Sequence, residues 1–193
     1  TSTPTEHNMG ATPSFDMVLF GGTGDLAMRK LLPALYQAHQ SGTLHPAGRI
    51  VALGRGALTL DDYLAQVRTQ SGPHLKADFS SPVWAAFAAR ITYLKLDAAH
   101  PADFDALAEL LGRGGERVTV CYLATAPSLF ADICAQLARV GLNHPDVRVV
   151  LEKPLGHDLD SSDAINAAVA QSFAESQIFR IDHYLGKESV QNL

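Results

Sequence analysis

Three short stretches of this chain gather residue types that can do chemistry. In "FGGTGDLA", Gly21, Gly22, Thr23, Gly24, Asp25 and Leu26 directly follow the apolar run Met17-Val18-Leu19-Phe20. Clustered glycine costs backbone entropy, so such a loop implies positive φ angles or a close backbone approach. Gly22, Gly24 and Ala27 fit the G-x-G-x-x-A spacing, in which backbone N–H groups approach a pyrophosphate at the N-terminus of a helix. Asp25 and Thr23 also suit the cap of that helix, a purely structural role. In "LEKPLGHDL", Lys153 precedes Pro154, which biases the lysine towards an extended backbone. In "RIDHYLGKE", Arg180, Asp182, His183, Tyr184 and Lys187 fall within eight residues, a group able to bind an anion and orient a proton-transfer base. A capped loop ahead of a helix is the plain alternative for that last stretch.

One further position bears on which dinucleotide would bind. An NAD site uses Asp or Glu at the end of the second strand to accept hydrogen bonds from the ribose 2′-hydroxyl. Here "RIVALGRG" ends in Arg55, with no acid before Asp61. An arginine there suits the 2′-phosphate of NADP through a charge-assisted fork, so NADP is the expected coenzyme and NAD the less favoured one. A solvated surface arginine is the alternative.

These residues need elements to position them. Apolar runs at 16–21, 49–53, 91–96, 118–124, 147–151 and 178–181 read as strands, mostly continuous rather than alternating, as in a sheet buried on both faces. Helical patterns lie between them at 26–40, 60–69, 82–89, 101–111, 128–140 and 161–171. Thr59, Pro82, Pro101 and Pro127-Ser128 mark helix starts, and Gly42, Gly112 and Gly141 mark stops. Strands alternating with helices predict an α/β fold: a doubly wound, mostly parallel Rossmann-like sheet with helices on both faces. Residues 1–14 are polar, without periodicity, and read as a disordered leader to a domain over 15–182.

The bulk properties narrow the function classes. At 193 residues, with 47% hydrophobic and 18% charged residues, the chain is long enough for one sizeable core. A formal net charge of −5 with no basic run argues against nucleic acid and anionic membrane as partners. Cys121 and Cys134 are too few for a secreted disulfide framework and read as buried thiols; with no signal peptide or long apolar span, the expected compartment is cytoplasmic. His39, His45, His74, His100, His144 and His157 show no metal-ligand spacing, and no metal is expected. Asp61-Asp62 and Asp103 with Asp105 read as first-turn helix charges, and Trp84, Phe87 and Phe79 as core.

Taken in order, "GGTGDLAMRKLLPALY", "CYLATAPSLF", "EKPLGHDL" and "RIDHYLGKESVQNL" resemble distinctive stretches of the glucose-6-phosphate dehydrogenase family, a likeness spanning residues 17–193. The resemblance implies an NADP-binding Rossmann-like domain whose coenzyme residues are Gly21, Gly22, Thr23, Gly24, Asp25, Leu26, Arg55, Tyr122, Lys153 and Pro154. Lys153 would stand where coenzyme and sugar meet, and His183, Tyr184 and Lys187 would hold the 6-phosphate of glucose 6-phosphate. Asp182 would orient a histidine general base that the family carries further along, so the chain by itself is expected to be inactive. Residues 183–193 would begin the α+β domain that binds substrate and forms the homodimer or homotetramer. A sugar dehydrogenase of the glucose–fructose oxidoreductase type shares the glycine loop and Glu-Lys-Pro but lacks "RIDHYLGKE". A non-catalytic NADP-binding module is the rival from another class.

Overall fold

A computed structural model describes residues 14–112 and 117–182 of the chain. Residues 1–13 and the expected phosphate ligands His183, Tyr184 and Lys187 lie outside the described residues. Six strands form one sheet: β1 (Ser14–Phe20), β2 (Arg49–Gly54), β3 (Ile91–Lys95), β4 (Arg117–Leu123), β5 (Val147–Glu152) and β6 (Ile178–Ile181). Their order is β3-β2-β1-β4-β5-β6 and every neighbouring pair is parallel, which is the doubly wound sheet expected. The order reverses between β1 and β4, and open α/β sheets bind ligands outside the carboxyl ends of the strands at such a point.

The continuous apolar runs follow from burial on both faces. In β1, Met17 and Leu19 enter one core layer while Val18 and Phe20 enter the other. The first layer is closed by a π-turn (Ala27–Leu31) running into α1 (Leu32–Gln40), by α2 (Leu60–Gln66) with a second π-turn (Val67–Ser71) and α3 (Gly72–Leu75), and by α4 (Pro82–Ala88). The opposite layer is closed by α5 (Pro101–Leu111), α6 (Phe130–Arg139) and α7 (Leu159–Ser172). Trp84 and Phe87 are buried as expected, with Phe79 set edge-on against Trp84 at 4.8 Å. Cys121 and Cys134 are free thiols in the α5–α7 layer, and burial pushes both well above the ordinary thiol range, Cys134 to about 12.

Several boundaries differ from the expected ones for physical reasons. Ser14 pairs with Arg117 and opens β1 instead of ending a leader. The single helix expected over 60–69 is divided, because the chain widens into a π-turn that lets the buried Ser71 hydroxyl donate to Met28 O in the other π-turn. The last helix starts at Leu159, not Ser161, because Asp158 and Ser161 form a reciprocal capping box. Thr59 and Asp62 form the same kind of box at the start of α2.

At the amino ends of three strands, Asp16 is 1% exposed and takes both Arg49 and Arg117. Arg49 donates from Nε at 2.7 Å and from its second amino group at 2.9 Å, and Arg117 donates at 2.7 Å. One carboxylate thus ties β1 to β2 and β4.

A second polar contact joins α1 to the start of β3. Arg90 donates from Nε to His39 Nδ1 at 2.9 Å, so that nitrogen must be unprotonated and Nε2–H faces Val83 O at 3.2 Å. Burial, and then the Arg90 charge, lower the His39 pKa. The neutral ring is the form the fold favours, so its contribution is complete above the ordinary histidine pKa and is lost as pH falls through the lowered value. The melting temperature of the chain is expected to drop between pH 7.5 and pH 5 by less in His39→Gln than in the parent; equal drops in thermal melts at the two pH values would refute this assignment.

Candidate functional site

The loop leaving β1 is shaped by Gly21, at φ +78°. A Cβ there would stand 2.4 Å from Ala124 O, so this position admits only glycine. Gly24 N–H donates to Gly21 O at 3.0 Å and closes the turn; Met28 N–H then reaches Gly24 O at 3.1 Å as the helix begins. Gly22 plays a different part from the one its spacing suggested. Its N–H donates to Leu53 O at 2.7 Å and its carbonyl accepts the Tyr63 hydroxyl at 2.8 Å, so both groups are committed within the protein. The turn glycine is therefore Gly21, and the helix that follows the loop opens at Asp25 and Leu26. Neither Asp25 nor Thr23 caps that turn through its side chain: Asp25 is exposed and pairs with Arg29 at 2.9 Å.

Thr23 packs against the end of β2. A Cβ on Gly54 would lie 2.9 Å from Thr23 Cγ2 and 2.8 Å from the Tyr93 hydroxyl, so the strand ends in glycine where the loop crosses it. Arg55 follows directly and is exposed, and among the described residues its guanidinium has no hydrogen bond or ion pair. The glycine turn and a cation available to a ligand thus lie at adjoining strand ends.

Tyr122, near the end of β4, is 2% exposed and donates to Glu152 Oε1 at 2.6 Å. Burial and the carboxylate beside it keep the phenol protonated. These two line a groove of about 720 Å³ together with Arg29 and Lys30. Lys153 is exposed just beyond β5, joined to Pro154 by a cis peptide, and its N–H donates to Ile181 O at 2.8 Å. That bond aligns the ends of β5 and β6, so Lys153, Pro154 and Asp182 line one cleft of about 580 Å³ with Asn166 and Arg180.

Arg180 differs from the expected anion ligand. Its Nε donates to Asn166 at 2.6 Å and a terminal amino group pairs with Glu175, so the guanidinium braces β6 against α7. The sequence reading also missed Tyr63, whose bond to Gly22 spans 41 positions and leaves no local signal. Among the described residues, no group of three or more His, Cys, Asp or Glu could hold a metal ion, and no helix is long and apolar enough to cross a membrane.

Comparison with known proteins agrees with this geometry. The family model described as "Glucose-6-phosphate dehydrogenase, NAD binding domain" matches residues 18–192. The glucose-6-phosphate 1-dehydrogenase of Mycolicibacterium smegmatis is 47% identical over 194 residues, covering 96% of this chain and 39% of the relative; that of Dickeya dadantii is 44% identical over 178 residues, covering 92% and 36%. The crystal structure of glucose-6-phosphate 1-dehydrogenase from Mycobacterium avium superposes with a TM-score of 0.80 at 36% identity, covering 90% of this chain and 36% of that one. A glucose-6-phosphate dehydrogenase in complex with its substrate glucose-6-phosphate gives a TM-score of 0.76 at 30% identity, covering 95% and 40%. The chain spans less than half the length of these relatives. A parallel sheet of this order, with its glycine turn at the reversal point and a match running almost end to end, leaves one conclusion: the chain belongs to the glucose-6-phosphate dehydrogenase family, through its NAD-binding domain.

Proposed function

We propose that this chain is the coenzyme-binding part of an NADP-dependent glucose-6-phosphate dehydrogenase, which oxidises glucose 6-phosphate to 6-phosphogluconolactone in the cytoplasm. The observation that carries the choice of NADP is Arg55: an exposed guanidinium, unpaired among the described residues, at the end of β2. The residues present fit the coenzyme, since the Gly21 turn has no room for a Cβ and the adjoining cation is available. When bound, the nicotinamide ring supplies the hydride acceptor for C1 of the sugar.

The chain's own residues bind and orient. The turn at Gly21 and Gly24 and the first helical amides at Asp25 and Leu26 would seat the pyrophosphate, with Gly22 fixing the loop to β2 and Thr23 near the adenosine ribose. Arg55 would hold the 2′-phosphate as a charge-assisted fork. Tyr122 would face the coenzyme, Lys153 would stand where coenzyme and sugar meet with Pro154 positioning it, and His183, Tyr184 and Lys187 would take the 6-phosphate. Asp182 would hold a histidine base in the orientation that removes the C1 hydroxyl proton and would stabilise the imidazolium. No histidine of this chain is assigned as that base. The whole protein is proposed to act as a homodimer or homotetramer, with 15–182 as its coenzyme domain.

The test is a pair of fluorescence titrations, with NADPH and with NADH, on the parent chain and on Arg55→Ala. A hydrogen bond to a charged group contributes about 1.5–3 kcal/mol, so the variant is expected to lose roughly tenfold to a hundredfold of its preference for NADPH. An unchanged ratio of the two dissociation constants would overturn the assignment of Arg55.

A further inference from the structure

Two stacked tyrosines, one buried and one partly buried, lie behind the loops that end β1 and β2. Tyr63, on α2, is fully buried, and its hydroxyl donates to Gly22 O at 2.8 Å. Tyr93, on β3, stacks on it with ring centroids 5.1 Å apart and ring planes 26° apart. The Tyr93 hydroxyl donates to Gly56 O at 2.5 Å. Gly22 lies in the glycine loop, and Gly56 is the residue after Arg55. The two loops therefore hang from one aromatic stack. Gly56 O also accepts Leu58 N–H at 3.0 Å, so the turn beyond Arg55 folds around the carbonyl that Tyr93 holds. Burial raises both phenols above the ordinary tyrosine range, so each remains a donor at neutral pH.

We propose that the Tyr63–Tyr93 stack is a positioning device for coenzyme selection, fixing the Arg55 turn relative to the glycine loop. The inference rests on the reading of Arg55 as the 2′-phosphate ligand. The two hydroxyls divide the work. Tyr63 holds the loop that would seat the pyrophosphate, a group common to NAD and NADP. Tyr93 holds the turn that carries Arg55, which only the 2′-phosphate of NADP would engage. Neither tyrosine touches the coenzyme in this scheme; each acts through the backbone carbonyl it holds.

Tyr63→Phe and Tyr93→Phe remove one hydroxyl each and retain the ring stack. Dissociation constants for NADPH and NADH are measured on the parent chain and both variants, with a thermal melt of each. A neutral hydrogen bond contributes enough to shift binding about three- to tenfold. Tyr93→Phe is expected to weaken NADPH by that factor and leave NADH unchanged, whereas Tyr63→Phe is expected to weaken both alike. Tyr93 is only partly buried, so its variant decides the matter even if Tyr63→Phe does not fold. A Tyr93→Phe chain that loses both affinities in parallel, or neither, overturns the inference. Arg55→Ala, run alongside, separates the two levels. If it abolishes the NADPH preference while Tyr93→Phe does not alter it, only the positioning role falls; if it leaves the preference intact, the reading beneath falls too.

Discussion

Asp16→Ala is expected to cost about 3 kcal/mol of stability and to lower the melting temperature by roughly 6–12 °C. Asp16 is 1% exposed and accepts three charge-assisted bonds from Arg49 and Arg117, which come from the two strands flanking β1. Such bonds contribute about 1.5–3 kcal/mol each when taken singly, but three on one carboxylate do not sum. The arginine side chains are each 35% exposed, so without Asp16 both regain part of their hydration, which holds the loss near the lower end for a broken buried pair. The reverse deletions should cost less. Arg49→Ala leaves the carboxylate bonded to Arg117, and Arg117→Ala leaves it bonded to Arg49, which donates twice. The expected order of destabilisation is therefore Asp16→Ala, then Arg49→Ala, then Arg117→Ala, read from denaturant melts. An Asp16→Ala chain within about 1 kcal/mol of the parent would show that the cluster is a solvated ion group and not a clasp between strands.

That cluster also marks the limit of what could be read from the sequence. The strands were legible because most are continuous apolar runs, and β6 falls at Ile178–Ile181 as expected. The helix over Pro101–Leu111 was legible because a proline opens it and Gly112 closes it. Asp16 gave no such signal, since its partners lie 33 and 101 positions away and only the strand order brings them together. The same holds for Tyr63, which reads locally as one more apolar residue of an amphipathic helix. In the candidate site, the glycine cluster and Arg55 were visible as types in a pattern. The work of each glycine was not: the spacing pointed to Gly22, whereas β2 takes up the Gly22 amide and the Ala124 carbonyl crowds Gly21, which makes the turn. Arg180 misled for a related reason: an arginine beside an aspartate and a histidine suggests an anion site, but Asn166 and Glu175 on and after α7 already occupy its fork.

Because Gly21 and Gly24 have different surroundings, their substitutions should differ in kind. Gly21→Ala is expected to weaken coenzyme binding by on the order of a hundredfold and to lower the melting temperature as well. The added methyl would sit 2.4 Å from Ala124 O, and that segment cannot move freely, since Ala124 N–H donates to Phe20 O at 2.9 Å. The positive φ adds strain, so together about 1–3 kcal/mol must be relieved by moving the loop away from β4. A moved loop displaces the helix start at Asp25 and Leu26 from its place beside the end of β2, and affinity for both NADPH and NADH should fall. Gly24→Ala meets only Gly21 O, at 3.2 Å, and carries no positive φ, so the free fold should tolerate it with little change in melting temperature. If a pyrophosphate approaches the backbone there, Gly24→Ala should nonetheless weaken binding of both coenzymes. The informative pattern is Gly21→Ala losing stability and affinity together while Gly24→Ala loses affinity alone. Full affinity in a folded Gly24→Ala chain would place the phosphates elsewhere than at this turn.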